Sequence, residues 1–524
     1  MRPRCVRCGA PTVIQVREAA YCEACYGRVF SEKLRTGLDA VRGAIILRSA
    51  AEASSSTSAP DGSDQPSSST TAPPLPPPPI AVALSGGSAS AVLLHAVTSF
   101  FRAGSQPVSM HVLFVDDSDA SIEGTQRSSA AAHVEELARS LAPDAIFHRI
   151  PVSRVFHGGG AVSCSGTNVS RAAPHTWENN EAAQRAFDAA YPADTPRLSA
   201  ADARTRAQDL LRVYTQRALL DTAAELGCIA LLYGDTGTRA AAHLLADVAR
   251  GAGFQLPASA ATARRSRGIY IAYPLRSHLA QEIDHYAATH KIAAVDVPAL
   301  VPRAHVDTQD HTYESLADKT SIECLAIFAR TGEKLVSAEA PDTLSVPEKL
   351  PRIGTRGVAL VNAACSVPCW DSAPTCALCL LPRQGGAHDV PLGMQGAPHS
   401  AASASASAPA DAPADAPADA HANAPTDISS RLCYSCRRML TLPEGVGEQY
   451  MPVPLSVVDE TPDVTAALRH ISIADAPVSV SDAPDTHTCG NHQKPAASHG
   501  ASEAHARVAL TRDEMHDRVA EFLL

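Results

Sequence analysis

Between residues 80 and 345, short apolar runs alternate with longer segments in which apolar residues recur every three or four positions. Such short runs are typical of buried strands, and such longer segments are typical of amphipathic helices. The runs predict strands at Ile80–Leu84, Val108–Val115, Ala145–Val152, Ile229–Tyr233 and Gly268–Tyr273. The longer segments predict helices over 88–102, 125–141, 201–226, 236–250 and 275–290. This alternation predicts an α/β fold, in which a parallel sheet is covered on both faces.

Polar, Pro- and Ser-rich stretches divide the chain, because they lack the apolar surface needed to offset chain entropy. The stretch 156–200 fits the alternation poorly and is predicted to be a large loop over the sheet edge. Residues 1–50 are predicted to form a basic four-cysteine zinc-ribbon module that includes a helix, and residues 51–79 a disordered linker. The α/β domain is predicted at 80–345, followed by a Cys-rich zinc module at 346–445 that contains a disordered insertion at 386–430. The tail at 446–524 is predicted to be largely flexible and to end in a helix at 511–524.

The acidic charge is confined to one end of the chain. The net charge is −11, of which residues 386–524 carry −10, with 8 Lys/Arg against 18 Asp/Glu. Residues 1–48 carry 9 Lys/Arg against 4 Asp/Glu, a net of +5. A basic module can attract phosphates whatever the tail does, although the same excess is also compatible with ordinary surface charge.

The sequence favours a cytoplasmic protein. No run of about 18 apolar residues predicts a transmembrane helix, and the start Met1-Arg2-Pro3-Arg4-Cys5 lacks the apolar region of a secretory signal. Thiols stay reduced in that compartment. The 14 cysteines are therefore interpreted as metal ligands or free thiols rather than disulfides.

Two sets of Cys-x-x-Cys pairs predict zinc sites. Cys5-x-x-Cys8 and Cys22-x-x-Cys25 are separated by 13 residues, a spacing at which two knuckles can present four thiolates in a tetrahedron. The module is small, so metal binding is expected to supply its folding free energy.

The second set is Cys376-x-x-Cys379 and Cys433-x-x-Cys436. Most of its long gap is the insertion at 386–430, and loop closure entropy grows slowly with length. Cys365 and Cys369 lie just upstream and are alternative ligands. The isolated Cys164, Cys228, Cys324 and Cys489 are interpreted as buried or free thiols.

A glycine-rich loop, Ser85-Gly86-Gly87-Ser88-Ala89-Ser90, joins the first predicted strand to the first helix. Such a turn places backbone N–H groups and a helix N-terminus in front of an anion, which favours a phosphate loop. It is not of the Walker type, since no Gly-Lys-Ser/Thr follows. The residues leave a second interpretation open, a tight turn in which Ser88 or Ser90 caps the helix.

The run Ser85-Gly86-Gly87-x-x-Ser90 resembles the PP-loop of the ATP pyrophosphatases that activate tRNA bases, whose usual pattern is Ser-Gly-Gly-x-Asp-Ser. Together with the basic knuckles, the stretches 231–257, 271–290 and 511–524 and the late cysteines, it resembles the cytoplasmic tRNA 2-thiolation protein 2 family. The resemblance covers the N-terminal module, the α/β domain, the late cysteines and the last helix. It implies a PP-loop ATP-pyrophosphatase sheet (adenine nucleotide alpha hydrolase-like), flanked by four-cysteine zinc modules.

The resemblance also implies a partner and a reaction. Members pair with a catalytic PP-loop thiolase, and the heterodimer thiolates carbon 2 of the wobble uridine in tRNAs for Lys, Glu and Gln. The complex uses ATP and magnesium, and a thiocarboxylated ubiquitin-related modifier donates the sulfur.

This chain departs from the catalytic pattern. Ala89 stands where the Asp is usual, Gly234-Asp235-Thr236 replaces a longer catalytic run, and no cysteine follows Pro274-Leu275-Arg276 at the usual spacing. Ser85, Gly86, Gly87 and Ser90 are therefore expected to form a vestigial nucleotide site in an accessory subunit, with no catalytic residue. The alternatives are a self-sufficient ATP-dependent tRNA sulfurtransferase and a zinc-ribbon nucleic-acid-binding protein with a structural α/β domain.

Two basic groups are candidates for gripping the tRNA backbone, since phosphate contacts position the substrate without reading sequence. The first lies in the N-terminal module, and the second is a local cluster that also fits a solvated loop. The candidates are Arg2, Arg4, Arg7, Arg17 and Arg28 in the module, and Arg264, Arg265, Arg267 and Arg276 in the cluster.

Overall fold

The computed structural model describes residues 4–16, 18–55, 77–104, 107–118, 124–156 and 200–295, with short pieces at 312–313, 315–316, 320, 331, 341–346, 354–370, 375–376, 378–383, 432–433 and 435–436. All belong to the first of two compact units, Met1–Ser472. The second unit, Ile473–Leu524, lies outside the described residues, as do the helix predicted at 511–524, most of both predicted linkers and nearly all of the loop predicted at 156–200.

The described residues form eight strands and nine main helices in chain order. They are β1 Ile14–Val16, β2 Ala19–Tyr21, α1 Glu23–Gly37, α2 Asp39–Ser55, β3 Pro79–Ala83, α3 Ser88–Ala103, β4 Ser109–Asp116, α4 Gly124–Leu141, β5 Ile146–Pro151, α5 Ala200–Glu225, β6 Ala230–Leu232, α6 Gly237–Ala249, α7 Leu256–Ala260, β7 Ala263–Ser266, β8 Ile269–Ala272, α8 Ala280–His290 and α9 Thr355–Cys365. Each strand and helix predicted between 80 and 290 has a counterpart within a few residues. No helix among the described residues is long and apolar enough to cross a membrane.

Six strands form one sheet in the order β5-β4-β3-β6-β8-β7. The first five are parallel, and only β7 runs antiparallel to its neighbour β8. The chain leaves β3 toward β4 and later returns to pair β6 on the other side of β3. The carboxyl end of β3 is thus a topological switch point, where open α/β sheets bind their ligands. The structure confirms the predicted fold class, since this parallel sheet carries a glycine loop after its first strand and has four-cysteine groups beside it.

Side chains alternate across the sheet and feed two separate cores. Val82 of β3 packs into one core with helices α1, α2, α3, α4, α8 and α9. Ala81, its neighbour, packs on the opposite face with α5 and the late cysteines. The short apolar runs of the sequence reflect this burial on both faces, as expected for parallel strands.

The N-terminal helices are part of the main core. Tyr26 and Phe30 of α1 are nearly fully buried, and the Tyr26 hydroxyl donates to the Glu282 carbonyl at 3.0 Å. On α2, Gly43 lies so close to α9 that a Cβ atom there would be 1.9 Å from the Leu360 carbonyl oxygen. Apolar burial in the main core therefore contributes to the folding free energy of this module, in addition to the metal binding that the sequence predicts.

The hairpin β7–β8 corrects the predicted edge of the sheet. The sequence predicted a single strand at 268–273, but an antiparallel partner precedes it through a two-residue turn at Arg267-Gly268. Both turn residues have positive φ, 52° and 75°, which is the type I′ geometry that two-residue hairpins prefer. The outer edge of β7 is covered in turn, because the Arg265 backbone N–H donates to the Pro368 carbonyl at 2.8 Å.

Candidate functional site

The glycine loop lies at the switch point, between β3 and α3. Gly86 has φ +89°, a left-handed conformation that favours glycine, and its carbonyl accepts from the Val295 N–H at 3.0 Å. The Ser90 hydroxyl is buried within the loop. It donates to the Gly87 carbonyl at 2.9 Å and accepts from the Ser85 N–H at 3.2 Å. The loop's own hydroxyl thus fixes its turn.

Helix α3 begins without a side-chain cap. Gly87 is the N-cap residue, so the alternative in which Ser88 or Ser90 caps the helix is wrong. Its first turn carries no acidic residue, so the helix dipole and the first N–H groups still favour an anion. Ala89 presents only a methyl group, which packs against the core. The loop keeps the shape of a phosphate site and lacks a carboxylate.

The segment after β6 closes against this loop. A Cβ atom at Gly234 would lie 2.8 Å from the Ser90 Cα, so only glycine fits there. Thr236 caps α6, its side chain accepting from the Arg239 N–H at 3.2 Å. Asp235 follows β6 at this end of the sheet, and its carboxylate lies 4.0 Å from the Arg239 guanidinium.

The first four-cysteine group assembles as predicted. The Sγ atoms of Cys5, Cys8, Cys22 and Cys25 all lie within 4.8 Å of one another. The antiparallel pair β1–β2 brings the two knuckles together, and Cys22 directly precedes α1, so that Cys25 falls in its first turn. Gly9, with φ +73°, allows the tight turn in which its N–H donates to the Cys5 carbonyl.

The second group settles which late cysteines come together. The Sγ atoms of Cys376, Cys379, Cys433 and Cys436 lie within 4.8 Å of one another. The alternative ligands Cys365 and Cys369 lie elsewhere: Cys365 ends α9 in the main core, and Cys369 pairs its backbone with Asp342. Cys228 is buried under the sheet, and burial raises the pKa of its thiol to about 12. The other isolated cysteines, Cys164, Cys324 and Cys489, lie outside the described residues.

Both groups fit a tetrahedral metal ion. Zn–S bonds of about 2.3 Å place the sulfurs of a tetrahedron roughly 3.8 Å apart. The Cys8 and Cys22 sulfurs are 3.4 Å apart, and those of Cys379 and Cys433 are 3.9 Å apart. The Cys436 N–H also points at the Cys433 sulfur, at 3.4 Å, and so supports a thiolate there. The eight cysteines are the residues that would hold two such ions.

Hydrogen bonds within each group make its thiols unequal. A hydrogen bond from the Cys22 backbone lowers the pKa of Cys5 to about 6, whereas the Cys8 thiol raises the pKa of Cys25 to about 12. In the second group, neighbouring thiols, Cys379 first, lower the pKa of Cys376 well below its usual value. The pKa of Cys433 is lowered as well, so the first group has one thiol with a lowered pKa and the second has two, and a bound cation would favour ionisation of the rest.

The predicted basic surface of the N-terminal module is only partly described. Arg4, Arg7 and Arg28 are exposed, and Arg7 forms a solvent-exposed ion pair with Glu32 at 3.4 Å. Arg2 and Arg17 lie outside the described residues.

The second predicted basic cluster is not one exposed surface. Arg265 is buried, Arg267 forms an ion pair with Asp221, and Arg276 is buried with its guanidinium donating to the carbonyls of Ala261 and Ser259. The sequence places the four arginines together, but the hairpin turns them in different directions. Only Arg264 and Arg276 of the cluster line a common cavity.

That cavity was not predicted, and it lies at the carboxyl end of the strands beside the second cysteine group. Its walls come from α5, α6, α7, β7, the segment after β8 and the late cysteines. Arg212 and His243 line it from the consecutive helices α5 and α6. No local signal marks them, since each is a single polar residue within a helical pattern.

No protein-family model matches the chain. The chain is similar to proteins named cytoplasmic tRNA 2-thiolation protein 2 in several fungi, which confirms the predicted resemblance. It is 31% identical to the protein from Sclerotinia sclerotiorum over 21% of this chain and 29% of that protein. It is 29% identical to the one from Pyrenophora tritici-repentis over 36% of this chain and 44% of that one. It is 26% identical to the one from Aspergillus fumigatus over 52% of this chain and 74% of that one.

The matched region thus spans about a third to half of the length of the first relatives. Their name agrees with the cytoplasmic setting predicted from the sequence. Among solved structures, the chain is similar to the U34-tRNA thiolase NcsA from Methanococcus maripaludis, solved with its [4Fe-4S] cluster. The TM-score is 0.39 and the identity 12%, over 64% of this chain and 90% of that one.

Proposed function

We propose that this chain, which resembles the cytoplasmic tRNA 2-thiolation protein 2 family, is the accessory subunit of a cytoplasmic tRNA-thiolating heterodimer. The complex would place sulfur on carbon 2 of the wobble uridine in tRNAs for Lys, Glu and Gln. The partner is a catalytic PP-loop thiolase, which uses ATP and magnesium. A thiocarboxylated ubiquitin-related modifier supplies the sulfur.

The observation that carries this proposal is the state of the glycine loop. It keeps the switch-point position, the left-handed Gly86 and an uncapped helix N-terminus, all of which suit a phosphate. It has a methyl group at Ala89 where the PP-loop pattern of the catalytic ATP pyrophosphatases has a carboxylate. Loss of a group that manages metal or charge in the transition state costs orders of magnitude in rate. A chain with the shape of the site and without its reactive groups is suited to support a catalytic partner.

The remaining roles follow from this chain's own residues. The two four-cysteine groups would each hold a zinc ion, which fixes the knuckles and performs no chemistry on the substrate. The exposed Arg4, Arg7 and Arg28 would contact the tRNA backbone.

The proposal is tested by a thiolation assay on unmodified tRNA with ATP and a sulfur donor. The chain is assayed alone, with the catalytic partner, and as the variant Ala89→Asp, which introduces the carboxylate of the catalytic PP-loop pattern. We expect activity only in the mixture, at the same level with wild-type chain and with Ala89→Asp. The partner alone should show little activity.

Three results would overturn the proposal in different ways. Activity of the chain alone would establish a self-sufficient sulfurtransferase. Equal activity of the partner with and without the chain would remove it from the reaction. Tight tRNA binding combined with no effect on the partner would leave a zinc-ribbon RNA-binding protein with a structural α/β domain.

A further inference from the structure

The cavity beside the second cysteine group has a volume of about 70 Å³ and a polar wall. A cavity that holds a single water has a volume of roughly 10 to 15 Å³, so this larger space suits a group of phosphate size. Charged side chains and His243 line it from five segments, and they are Arg212 of α5, Asp235 after β6, His243 and Asp247 of α6, Arg264 of β7 and Arg276 after β8. Cys379 and Cys436 of the second cysteine group complete the ionisable part of the wall.

Both carboxylates of this wall form ion pairs with arginines. Asp247 is held by Arg212 at 3.1 Å and by Arg250 at 3.0 Å, and Asp235 faces Arg239 at 4.0 Å. Within the described parts of the chain, no carboxylate forms an ion pair with either of the other two arginines of the wall, Arg264 and Arg276.

Those two arginines have hydrogen-bonding capacity left over. The Nε atoms of Arg264 and Arg276 are buried and have no hydrogen-bond partner among the described residues. Arg276 is held rigidly, with its guanidinium 3.7 Å from the centre of the Tyr273 ring and two donors fixed on backbone carbonyls. Arg276 is buried and forms no ion pair with a described carboxylate, so an anion in the cavity would offset part of the cost of burying its charge, in addition to the neighbouring thiolates.

His243 adds an uncharged hydrogen-bond donor to the cavity wall. Burial, and then the nearby arginines, hold the pKa of its imidazole well below the usual value, so it is neutral around pH 7. A neutral imidazole can donate one hydrogen bond to an anion without adding a further buried charge. Two arginines and one imidazole from three separate elements give the convergent donors that a tetrahedral oxyanion requires.

We propose that this cavity is a phosphate-binding site, with Arg264, Arg276 and His243 as its donors. The phosphate can be free, carried by a nucleotide, or part of the tRNA. The tRNA source rests on the proposed function, whereas binding of the anion itself does not. The site is separate from the glycine loop, whose donors are the backbone N–H groups at the start of α3.

The test uses the full chain with its metal content measured. Inorganic phosphate is titrated by calorimetry at constant ionic strength, with chloride as the balancing anion. We expect one saturable site per chain, and binding at least about tenfold weaker in Arg264→Gln, which removes a charged donor, and in His243→Leu, which removes a convergent donor. The matched control is Arg267→Gln, on the same hairpin but paired with Asp221, and it should bind phosphate as the wild type does.

Competition identifies the source. If phosphate displaces tRNA from the wild type and not from Arg264→Gln, the site takes a tRNA phosphate. If ATP competes with inorganic phosphate and tRNA does not, it takes a nucleotide. Both results support the site, and a failed thiolation assay leaves them standing.

Two results overturn the proposal. One is the absence of saturable phosphate binding by the wild type. The other is undiminished phosphate binding by Arg264→Gln, particularly if that variant loses metal. The arginines would then serve only to balance the charge of the neighbouring thiolates.

Discussion

The ammonium group of Lys33, on α1, lies 2.6 Å from a carboxylate oxygen of Glu282, on α8. The Glu282 side chain is fully buried, and its other oxygen accepts from the Leu279 N–H at 2.9 Å, at the start of that helix. One carboxylate thus caps α8 and anchors the N-terminal module to the α/β domain. Residues 249 positions apart thus form an ion pair whose carboxylate is fully buried and whose Lys33 side chain is 26% exposed.

Lys33→Met should destabilise the chain by about 3 kcal/mol or more, because removal of one partner leaves a buried charge uncompensated. Arg102→Met is the matched control. Its ion pair with Asp144, at 2.8 Å, is exposed, with side-chain accessibilities of 59% and 85%, so its loss should cost less than about 1 kcal/mol. Urea denaturation measures both. Adding Glu282→Gln to Lys33→Met should recover part of the lost stability. Equal destabilisation by Lys33→Met and Arg102→Met would contradict the role of burial.

Gly43→Ala should destabilise the chain by about 1 to 3 kcal/mol, since its Cβ atom would lie 1.9 Å from the Leu360 carbonyl oxygen and push α2 away from α9. Gly27 offers a control, because a Cβ atom there meets nothing within 4 Å. Gly27→Ala should stabilise α1 by roughly 0.5 to 1 kcal/mol. Urea denaturation measures both changes: the midpoint should fall for Gly43→Ala and rise for Gly27→Ala, with unchanged slopes. An unchanged midpoint for Gly43→Ala would mean that α2 and α9 are not in contact at this position.

His278 should make the fold sensitive to acid. Burial, and then Lys33, lower the pKa of its imidazole to about 3, and its Nε2 atom lies 3.3 Å from the Phe30 carbonyl. The unfolded chain takes up this proton near pH 6.5 and the folded chain does not. The contribution is therefore complete above about pH 6.5 and is lost as the pH falls toward 3, at about 1.4 kcal/mol per pH unit.

The measurement is the free energy of unfolding between pH 7 and pH 5. His278→Gln should reduce the pH slope by about one proton relative to the wild type, whatever it does to stability at pH 7. Since the pKa of His243 is also lowered, some slope should remain in the variant. An unchanged slope in His278→Gln would show that this imidazole is charged or solvated in the folded chain.

Each four-cysteine group should hold one zinc ion, giving two per chain by elemental analysis. Cys25→Ser should lower the content to about one, and Cys436→Ser should do the same independently. Cys228→Ser should keep two, because that thiol is buried away from both groups. A chelator should lower the thermal midpoint of the wild type, and a metal-free chain of unchanged stability would refute both sites.

The double variant Arg4→Glu, Arg7→Glu should weaken tRNA binding and reduce the salt slope by about one for each tRNA phosphate that these arginines neutralise. Both side chains are exposed, and the ion pair of Arg7 with Glu32 is too solvated to compete with a phosphate. Arg139→Glu, on α4 of the α/β domain, serves as the control for a general change in charge. Equal salt slopes for wild type and double variant would remove this surface from the tRNA path.

The sequence by itself did not predict β7 or the short α7, but it determined the α/β class, five strands and five helices between 80 and 290, and the two Cys-x-x-Cys sets. These features depend on local pattern: burial of parallel strands on both faces gives continuous apolar runs, and knuckle spacing is a property of neighbouring residues. The glycine loop could be predicted for the same reason, because its turn depends on consecutive residues, Ser85 to Ser90.

Tertiary structure alone decided which groups meet across long separations. It placed α1 and α2 in the main core, joined Lys33 to Glu282, and excluded Cys365 and Cys369 from the second cysteine group. It also divided one run of arginines between a hairpin turn, a covered edge and a cavity. Such pairings are set by strand order and helix packing, which sum over the whole chain, so no local pattern of residues records them.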